Sequence, residues 1–284
     1  MSSQSFDYTV ADFNYVEHPD GPQRLRLFAP VGTGPFPVVV AIHGGAWCNG
    51  DLTDNEPRDL ALAKAGIAVA ALNFRHAGAG YPASSADINY AIRWLKAHAA
   101  KLNLRADKVG LSGQSSGGHL AMLAAMRPAD PRYTTIPSPE GAKVDASVAC
   151  VVMHWPVINP LSRYRNAVAL RDSATPPAWV ADIPDRHDLY WKNEAAMEEG
   201  NPMLILERGE KVPLPPTLWV QGRPVDPQHD YRDPVGNQDV NEPERFIRNV
   251  RRAGGTIDMA EVAQANRAEE SIQPTLDFFR RHLS

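Results

Sequence analysis

The segment from residue 109 to residue 126 constrains the fold of this chain more than any other part of its sequence. A short apolar run, 109–111, is followed by Gly-Gln-Ser-Ser-Gly-Gly at 113–118 and then by an apolar helical stretch, 119–126. A serine between closely spaced glycines at a strand-to-helix turn is typical of a nucleophile elbow, because only small neighbours fit around so sharp a bend. The pattern predicts that the hydroxyl of Ser115 projects above the edge of a sheet. The alternative is a glycine-rich turn in which Ser115 only caps the helix.

A second glycine-containing turn follows an earlier predicted strand. Residues 37–42 are rich in β-branched side chains, and the sequence His-Gly-Gly-Ala-Trp comes directly after them at 43–47. Glycines at such a position leave backbone N–H groups free to face the oxyanion that develops when a carbonyl is attacked. Three backbone amides are expected to form this oxyanion hole: those of Gly45, Ala46 and Ser116. His43 is interpreted as a residue that braces the turn rather than one that carries protons.

The rest of the chain alternates strand-like and helix-like segments, which predicts an α/β fold with a mostly parallel central sheet and helices on both faces. Further predicted strands lie around 7–10, 24–28, 67–73, 146–154, 217–221 and 257–262, and further predicted helices at 84–102, 243–253 and 269–283. The stretch 156–215 is rich in Pro, Arg and aromatic residues and interrupts this alternation. We interpret it as a cap insertion within a single domain that spans 1–284.

Composition argues against several classes of partner. The chain has 29 Lys and Arg against 33 Asp and Glu, so it has no basic excess for phosphates or anionic lipids, and neither nucleic acid nor membrane is expected as a partner. The N-terminus lacks the pattern of a signal peptide and no stretch is apolar enough to span a bilayer, so we expect a cytoplasmic location. Cys48 and Cys150 have no metal-ligand spacing around them, so no metal or cofactor is expected. A nucleophilic Cys48 is the alternative to a buried thiol.

These motifs resemble the hormone-sensitive-lipase-like and kynurenine-formamidase-like esterase branch of the α/β-hydrolases. The resemblance rests on HGGAW at 43–47, on GQSSGGH at 113–119, and on Tyr81-Pro82 with the helix that leads to 107–111. It resumes at 216–222, the strand after which this family places its catalytic acid. The resemblance therefore implies an α/β-hydrolase fold with Ser115 as nucleophile and Asp226 as the acid. Asp230 and Asp233 are rival candidates for the acid.

The chain departs from this family just after the last predicted strand, where the family has its catalytic histidine. Asn266 stands in that position here, and a neutral amide cannot accept the proton of a serine. Among the nine histidines, His229 is the best replacement, because it lies three residues after Asp226 and three residues span at most about 10 Å. We hypothesise that His229 is a relocated base. The alternative is a loop histidine without a chemical role.

Three functions fit these residues. The first is a serine hydrolase that cleaves a small or aromatic ester, or a related acyl compound, through an acyl-enzyme on Ser115. Three residues are expected to line its substrate pocket: Trp47, His154 and Trp155. The second is a ligand-binding protein without turnover, since the plant gibberellin receptors resemble these esterases and have also lost the histidine. The third is an enzyme that polarises a carbonyl for elimination or transfer. The expected partner is a small-molecule ester or acyl compound, and a homodimer is an open alternative to a monomer.

Overall fold

A computed structural model describes residues 5–224, 226–236 and 239–284. Its strands are β1 Tyr8–His18, β2 Gly21–Pro30, β3 Phe36–Ile42, β4 Ala68–Leu72, β5 Leu104–Gln114, β6 Cys150–His154, β7 Thr217–Arg223 and β8 Ile257–Ala263. Its α-helices are α1 Glu56–Lys64, α2 Ala83–Ala97, α3 Ser116–Met126, α4 Pro160–Arg171, α5 Ile183–Trp191, α6 Glu194–Glu199, α7 Pro202–Glu207, α8 Glu242–Arg252, α9 Arg267–Glu270 and α10 Ile272–Leu283. Short 3₁₀ helices lie at Pro139–Gly141, Ala178–Val180 and Gln264–Asn266.

The strands form one sheet in the order β1-β2-β4-β3-β5-β6-β7-β8. β1 pairs with β2 and β2 with β4 in antiparallel fashion, whereas every pairing from β4 through β3, β5, β6 and β7 to β8 is parallel. The mostly parallel sheet predicted from the sequence is therefore confirmed. Because the carboxyl ends of parallel strands meet at one edge, the turns after β3, β5 and β7 come together there.

Both faces of the sheet are covered, because successive residues of a strand point to opposite sides. In β3, Val38 and Val40 belong to a core shared with α2, α3 and α8, whereas Val39 and Ala41 belong to a second core shared with α1 and α10. Strands that are apolar at every position are what two buried faces require. This arrangement explains why the central strands appear in the sequence as continuous apolar runs.

Some boundaries differ from the sequence-based prediction. Helix α1 was not predicted, because Arg58 and Asp59 lie on its buried side and no apolar stripe marks it. The strand predicted at 146–154 begins only at Cys150. The last predicted helix, 269–283, is interrupted at Ser271, where α9 ends and α10 begins.

The chain between β6 and β7 contributes no strand; it forms α4 to α7 and one 3₁₀ helix. Helix α7 contacts α3 and α8, and Tyr190 of α5 stacks on Trp47 in the turn after β3. The cap insertion at 156–215 and the single domain at 1–284 remain predictions, and the latter range includes 1–4, 225, 237 and 238, which lie outside the described residues. In the part of the chain that is described, no helix has both the length and the apolar character needed to cross a bilayer.

Candidate active site

Ser115 occupies the turn between β5 and α3 with φ 51° and ψ −119°, a backbone conformation that residues other than glycine rarely adopt. The glycines two positions to either side make this bend sterically feasible. A Cβ at Gly113 would lie 2.2 Å from the carbonyl oxygen of Gly117, and a Cβ at Gly117 would lie 2.3 Å from that of His43. The glycine spacing of the motif thus follows from the packing of β5, α3 and the turn after β3.

The turn after β3 has three successive residues with positive φ: Gly45 at 98°, Ala46 at 49° and Trp47 at 60°. The Trp47 amide donates to the Ser116 hydroxyl at 3.2 Å, which ties this turn to the start of α3. Within the described residues, the amides of Gly45 and Ala46 have no hydrogen-bond acceptor. The amide of Ser116 belongs to the first turn of a helix, where N–H groups lack partners within the helix. The N–H groups of these three residues are therefore available to donate hydrogen bonds to an oxyanion.

A hydrogen-bonded chain of three side chains begins at Ser115. Its Oγ lies 2.9 Å from Nε2 of His229, and Nδ1 of His229 lies 2.7 Å from Oδ2 of Asp226. Because a carboxylate can only accept, Nδ1 of His229 carries the ring proton and Nε2 is left as the acceptor for the serine hydroxyl. The structure brings together the three residues predicted as nucleophile, base and acid.

The electrostatics of this chain favour a neutral imidazole beside an ionised carboxylate. Burial raises the pKa of Asp226, but hydrogen bonds from His229, the Gln228 amide and Arg267 outweigh it and hold that pKa well below its usual value. Burial lowers the pKa of His229, and the charges of Arg163 and Arg267 lower it further, against the raising effect of Asp226. The state of His229 that can accept a proton is therefore the stable one at neutral pH.

Arg267 is a member of this site that sequence reasoning missed. Its Nη1 lies 2.5 Å from Oδ2 of Asp226, and its guanidinium lies 4.4 Å from the centroid of the Trp155 ring. The neighbouring Asn266, which stands where the related esterases have histidine, is exposed in the 3₁₀ helix after β8. The loop after β8 thus contacts Asp226 through Arg267 instead of through a histidine. The sequence signal that pointed to Arg267 is its position next to Asn266, where the family has its catalytic histidine.

The rival carboxylates have other partners. Asp230 pairs with Arg223 at 2.7 Å and accepts a hydrogen bond from Asn241 at 2.6 Å. Asp233 pairs with Arg245 at 2.9 Å. Neither forms a hydrogen bond with His229 among the described contacts, so both carboxylates act as anchors for the loop between β7 and α8.

The predicted pocket residues occupy different environments. The Trp47 ring is 1% exposed, stacks on Tyr190 and donates from Nε1 to Nδ1 of His119. Trp155 is 4% exposed and lies against Arg267 near the acid. His154, by contrast, is fully buried and bonds Thr275 of α10 at 2.9 Å through Nε2. His154 is a structural residue between the sheet and α10, contrary to the prediction that it lines the pocket.

His119 connects the elbow to the segment between β6 and β7. Its Nδ1 accepts from Trp47 at 3.2 Å, so its Nε2 carries the proton and donates to the Gly200 carbonyl at 2.7 Å.

The thiol of Cys48 lies 3.5 Å from the Arg186 carbonyl. Burial raises the pKa of this thiol, which disfavours the thiolate that a nucleophile needs. No group of three or more His, Cys, Asp or Glu side chains that could hold a metal ion occurs in the described part of the chain.

Comparisons with known proteins agree with this architecture. The BD-FAE family profile matches residues 26–217, more than half of the chain. Over 129 residues the chain is 36% identical to the "Probable carboxylic ester hydrolase LipM" of Mycobacterium tuberculosis (strain ATCC 25618 / H37Rv), a match that covers 45% of this chain and 29% of that protein. The chain spans about a third of the length of the first curated relatives that it matches. The family match ends before Asp226 and His229.

Two solved structures are similar over nearly the whole chain. Carboxyl esterase 2 from the fungus Tuber melanosporum has a TM-score of 0.71 at 20% identity, and the match covers 100% of this chain and 89% of that one. An esterase from Pyrobaculum calidifontis has a TM-score of 0.73 at 19% identity, with 99% and 88% covered. These similarities confirm the fold class that the sequence predicted.

Proposed function

Because the chain belongs to the BD-FAE family, and with it to the hormone-sensitive-lipase-like esterases, we propose that it hydrolyses a small or aromatic carboxylic ester through an acyl-enzyme on Ser115. The observation that carries the proposal is the hydrogen-bonded chain from Ser115 through His229 to Asp226, at 2.9 and 2.7 Å. A nucleophile, a base and an orienting acid within hydrogen-bonding distance are the parts that acyl transfer to serine needs.

In the proposed first half-reaction, Oγ of Ser115 forms a bond to the ester carbonyl carbon while Nε2 of His229 takes the hydroxyl proton. The carbonyl electron pair moves onto oxygen, and the amides of Gly45, Ala46 and Ser116 donate to the oxyanion. Collapse breaks the bond to the alkoxy oxygen, which leaves as the alcohol with the proton from His229. Asp226 stabilises the imidazolium of His229 from the moment it takes the serine proton until it gives that proton to the alcohol.

In the second half-reaction, a water molecule gives a proton to His229 and its oxygen attacks the acyl carbon. The bond between that carbon and Oγ then breaks, and Ser115 recovers its proton. That the substrate is small or aromatic remains a prediction of the sequence, because the rings of Trp47 and Trp155 are 1% and 4% exposed and are already packed against Tyr190 and Arg267. The cytoplasmic location and a homodimer remain predictions of the sequence.

The assignment of His229 is tested by steady-state kinetics on aryl and alkyl esters. We expect Ser115→Ala and His229→Ala each to lower kcat by about 10³-fold or more, because each removes part of one proton-transfer unit. Asn266→His should not rescue His229→Ala, since residue 266 is exposed. His282→Ala, in the last turn of α10, serves as the histidine control. Full activity in His229→Ala would exclude this histidine as the base.

A further inference from the structure

Arg163, in the first turn of α4, is a buried cation with no hydrogen-bond acceptor or ion-pair partner among the described residues. Its residue is 2% exposed, and its Nε and Nη1 atoms have no hydrogen-bond acceptor in the described structure. A guanidinium carries five N–H donors and stays charged, so burying it unpaired is strongly unfavourable. Burial lowers the pKa of Arg163 to about 10, which is still far above neutral pH.

The other buried arginines of the described chain do find acceptors. Arg245 pairs with Glu207, Asp233 and Glu242. Arg93 bonds Asn89, Ser138 and the Ile136 carbonyl, and Arg58 bonds Asn55 and Ser271. Nε of Arg58 also lacks an acceptor, but among the buried arginines of the described chain only Arg163 forms no hydrogen bond through any of its side-chain nitrogens.

Arg163 is close to the proposed catalytic residues. The loop that leads into α4 is fixed to the elbow, since the Val157 amide donates to the Ser115 carbonyl at 3.0 Å. The hydroxyl of Ser162, next to Arg163, donates to Glu242 at 3.3 Å, and the Glu242 amide donates to the carbonyl of Tyr231, two residues after His229. The charge of Arg163 lowers the pKa of His229 and interacts with Asp226. Arg163 forms no hydrogen bond or ion pair with Asp226 among the described contacts; that carboxylate bonds His229, Arg267 and the Gln228 amide instead.

A second side chain near Arg163 also has an unused polar atom. Nδ1 of His187, on α5, donates to the Ile183 carbonyl at 2.8 Å, which leaves Nε2 as an acceptor. His187 is fully buried and Nε2 has no partner in the described structure. His187 lies beside Tyr164, the residue after Arg163, with ring centroids 5.9 Å apart, and α5 packs against α4. Two helices between β6 and β7 thus offer an unused cationic donor and an unused neutral acceptor.

We propose that Arg163 binds a carboxylate carried by the ester substrate, with Nε2 of His187 accepting a hydrogen bond from a hydroxyl next to that carboxylate. The guanidinium fork matches the two oxygens of a carboxylate, and a bound anion would supply the missing counter-charge. The substrate class is then narrower than a small or aromatic ester: it is an ester with a free carboxylate, such as a half-ester of a dicarboxylic acid. This inference rests on the proposed ester hydrolysis at Ser115.

The kinetic test compares charged and neutral esters of matched size. Monobenzyl succinate places the carboxylate on the acyl side, 3-carboxybenzyl butyrate places it on the alcohol side, and benzyl butyrate is the neutral reference. We expect the natural protein to prefer one of the charged esters by at least about tenfold in kcat/KM, and Arg163→Met to abolish that preference. Arg165→Met is the control, because Arg165 lies on the same helix and pairs with Glu194. A preference that survives in Arg163→Met, or none in the natural protein, would overturn the inference.

A binding test does not depend on turnover. In Ser115→Ala, succinate should raise Tm and malate, with its added hydroxyl, should raise it more; Arg163→Met in the same background should abolish both shifts. Arg163→Met should also raise the Tm of the ligand-free protein, because it removes an uncompensated buried charge, whereas loss of a structural arginine would lower it. Binding of succinate without hydrolysis of any ester would contradict the proposed function alone. Hydrolysis of neutral esters without anion binding would contradict the role of Arg163 alone.

Discussion

One carboxylate oxygen, Oδ2 of Asp226, accepts hydrogen bonds from both His229 and Arg267. Asp226 and Arg267 have opposite effects on the pKa of the proposed base, His229. Asp226 raises the pKa of His229 by stabilising the imidazolium, whereas the fixed charge of Arg267 lowers it. An arginine in this position therefore keeps His229 unprotonated, and able to act as a base, at a lower pH than a triad without it.

Replacing Arg267 with glutamine should move the acid limb of the kcat/KM profile to higher pH. The neutral side chain no longer disfavours the imidazolium, so the pKa of His229 rises and its unprotonated form is lost earlier on acidification. Activity should fall most on the acid side of the profile and change little on its alkaline side. Arg223→Gln is the control, since Arg223 pairs with Asp230 rather than Asp226. A shift of the limb to lower pH would contradict this account of Arg267.

The loop between β7 and α8 carries both the proposed acid and the proposed base, and α8 anchors it. Asn241 caps α8 by accepting from the Glu244 amide at 3.0 Å, and its Nδ2 donates to Asp230 at 2.6 Å. The Glu242 amide also donates to the Tyr231 carbonyl at 2.8 Å. The start of this helix thus determines where the segment around His229 lies.

Asn241→Ala should lower both stability and turnover. Loss of an N-cap costs about 1 kcal/mol of unfolding free energy, and the loop that carries His229 loses a restraint, which should lower kcat about tenfold. Asn193→Ala is the matched control, because Asn193 caps α6 by bonding the Ala196 amide. We expect a similar loss of Tm there without the loss of kcat, measured by thermal unfolding and ester hydrolysis. Equal effects on kcat would show that the loop is not held through Asn241.

Across the whole molecule, five histidines are buried in the described structure: His43, His119, His154, His187 and His229. Burial lowers the pKa of each, to about 4 for His43 and His119 and to about 3 for His187. The unfolded chain takes up protons on these residues below pH 6.5, whereas the folded chain does not until the pH is lower. Their contribution to stability is therefore present above pH 6.5 and is lost as the pH falls.

Two buried carboxyls act in the opposite direction. Burial raises the pKa of Asp59 and of Glu242 to about 7, so their contribution to stability grows as the pH falls and is lost as it rises through 7. Because five buried histidines oppose these two carboxyls, the net effect of acidification is a loss of stability. We expect the free energy of unfolding to fall by several kcal/mol between pH 6.5 and 4.5, at about 1.4 kcal/mol per pH unit for each unopposed histidine. Urea unfolding at several pH values measures this slope, and constant stability over that interval would contradict it.

Local sequence was sufficient to locate the bend at Ser115, the glycine-containing turn after β3 and the central strands, because each is dictated by the residues within it. Gly113 and Gly117 mark a bend that a Cβ would block, and the apolar run 37–42 marks a strand buried on both faces. The sheet class, the helices on both faces and the position of Ser115 followed from these patterns. Helix α1 escaped prediction because Arg58 and Asp59 occupy its buried side, which removes the periodicity that marks a helix.

Only the tertiary structure decided which polar side chains meet. The sequence favoured His229 as the base but left a loop histidine without a chemical role as the alternative; the fold places its Nε2 2.9 Å from Oγ of Ser115, 114 positions away in the chain. His154 was predicted to line the pocket, but the structure packs it against Thr275 of α10. Arg163 carried no signal in its own segment, and the only signal for Arg267 was its position next to Asn266. Hydrogen bonds and charge pairs depend on distances of a few ångströms between remote segments, and only the packing of helices on the sheet fixes those distances.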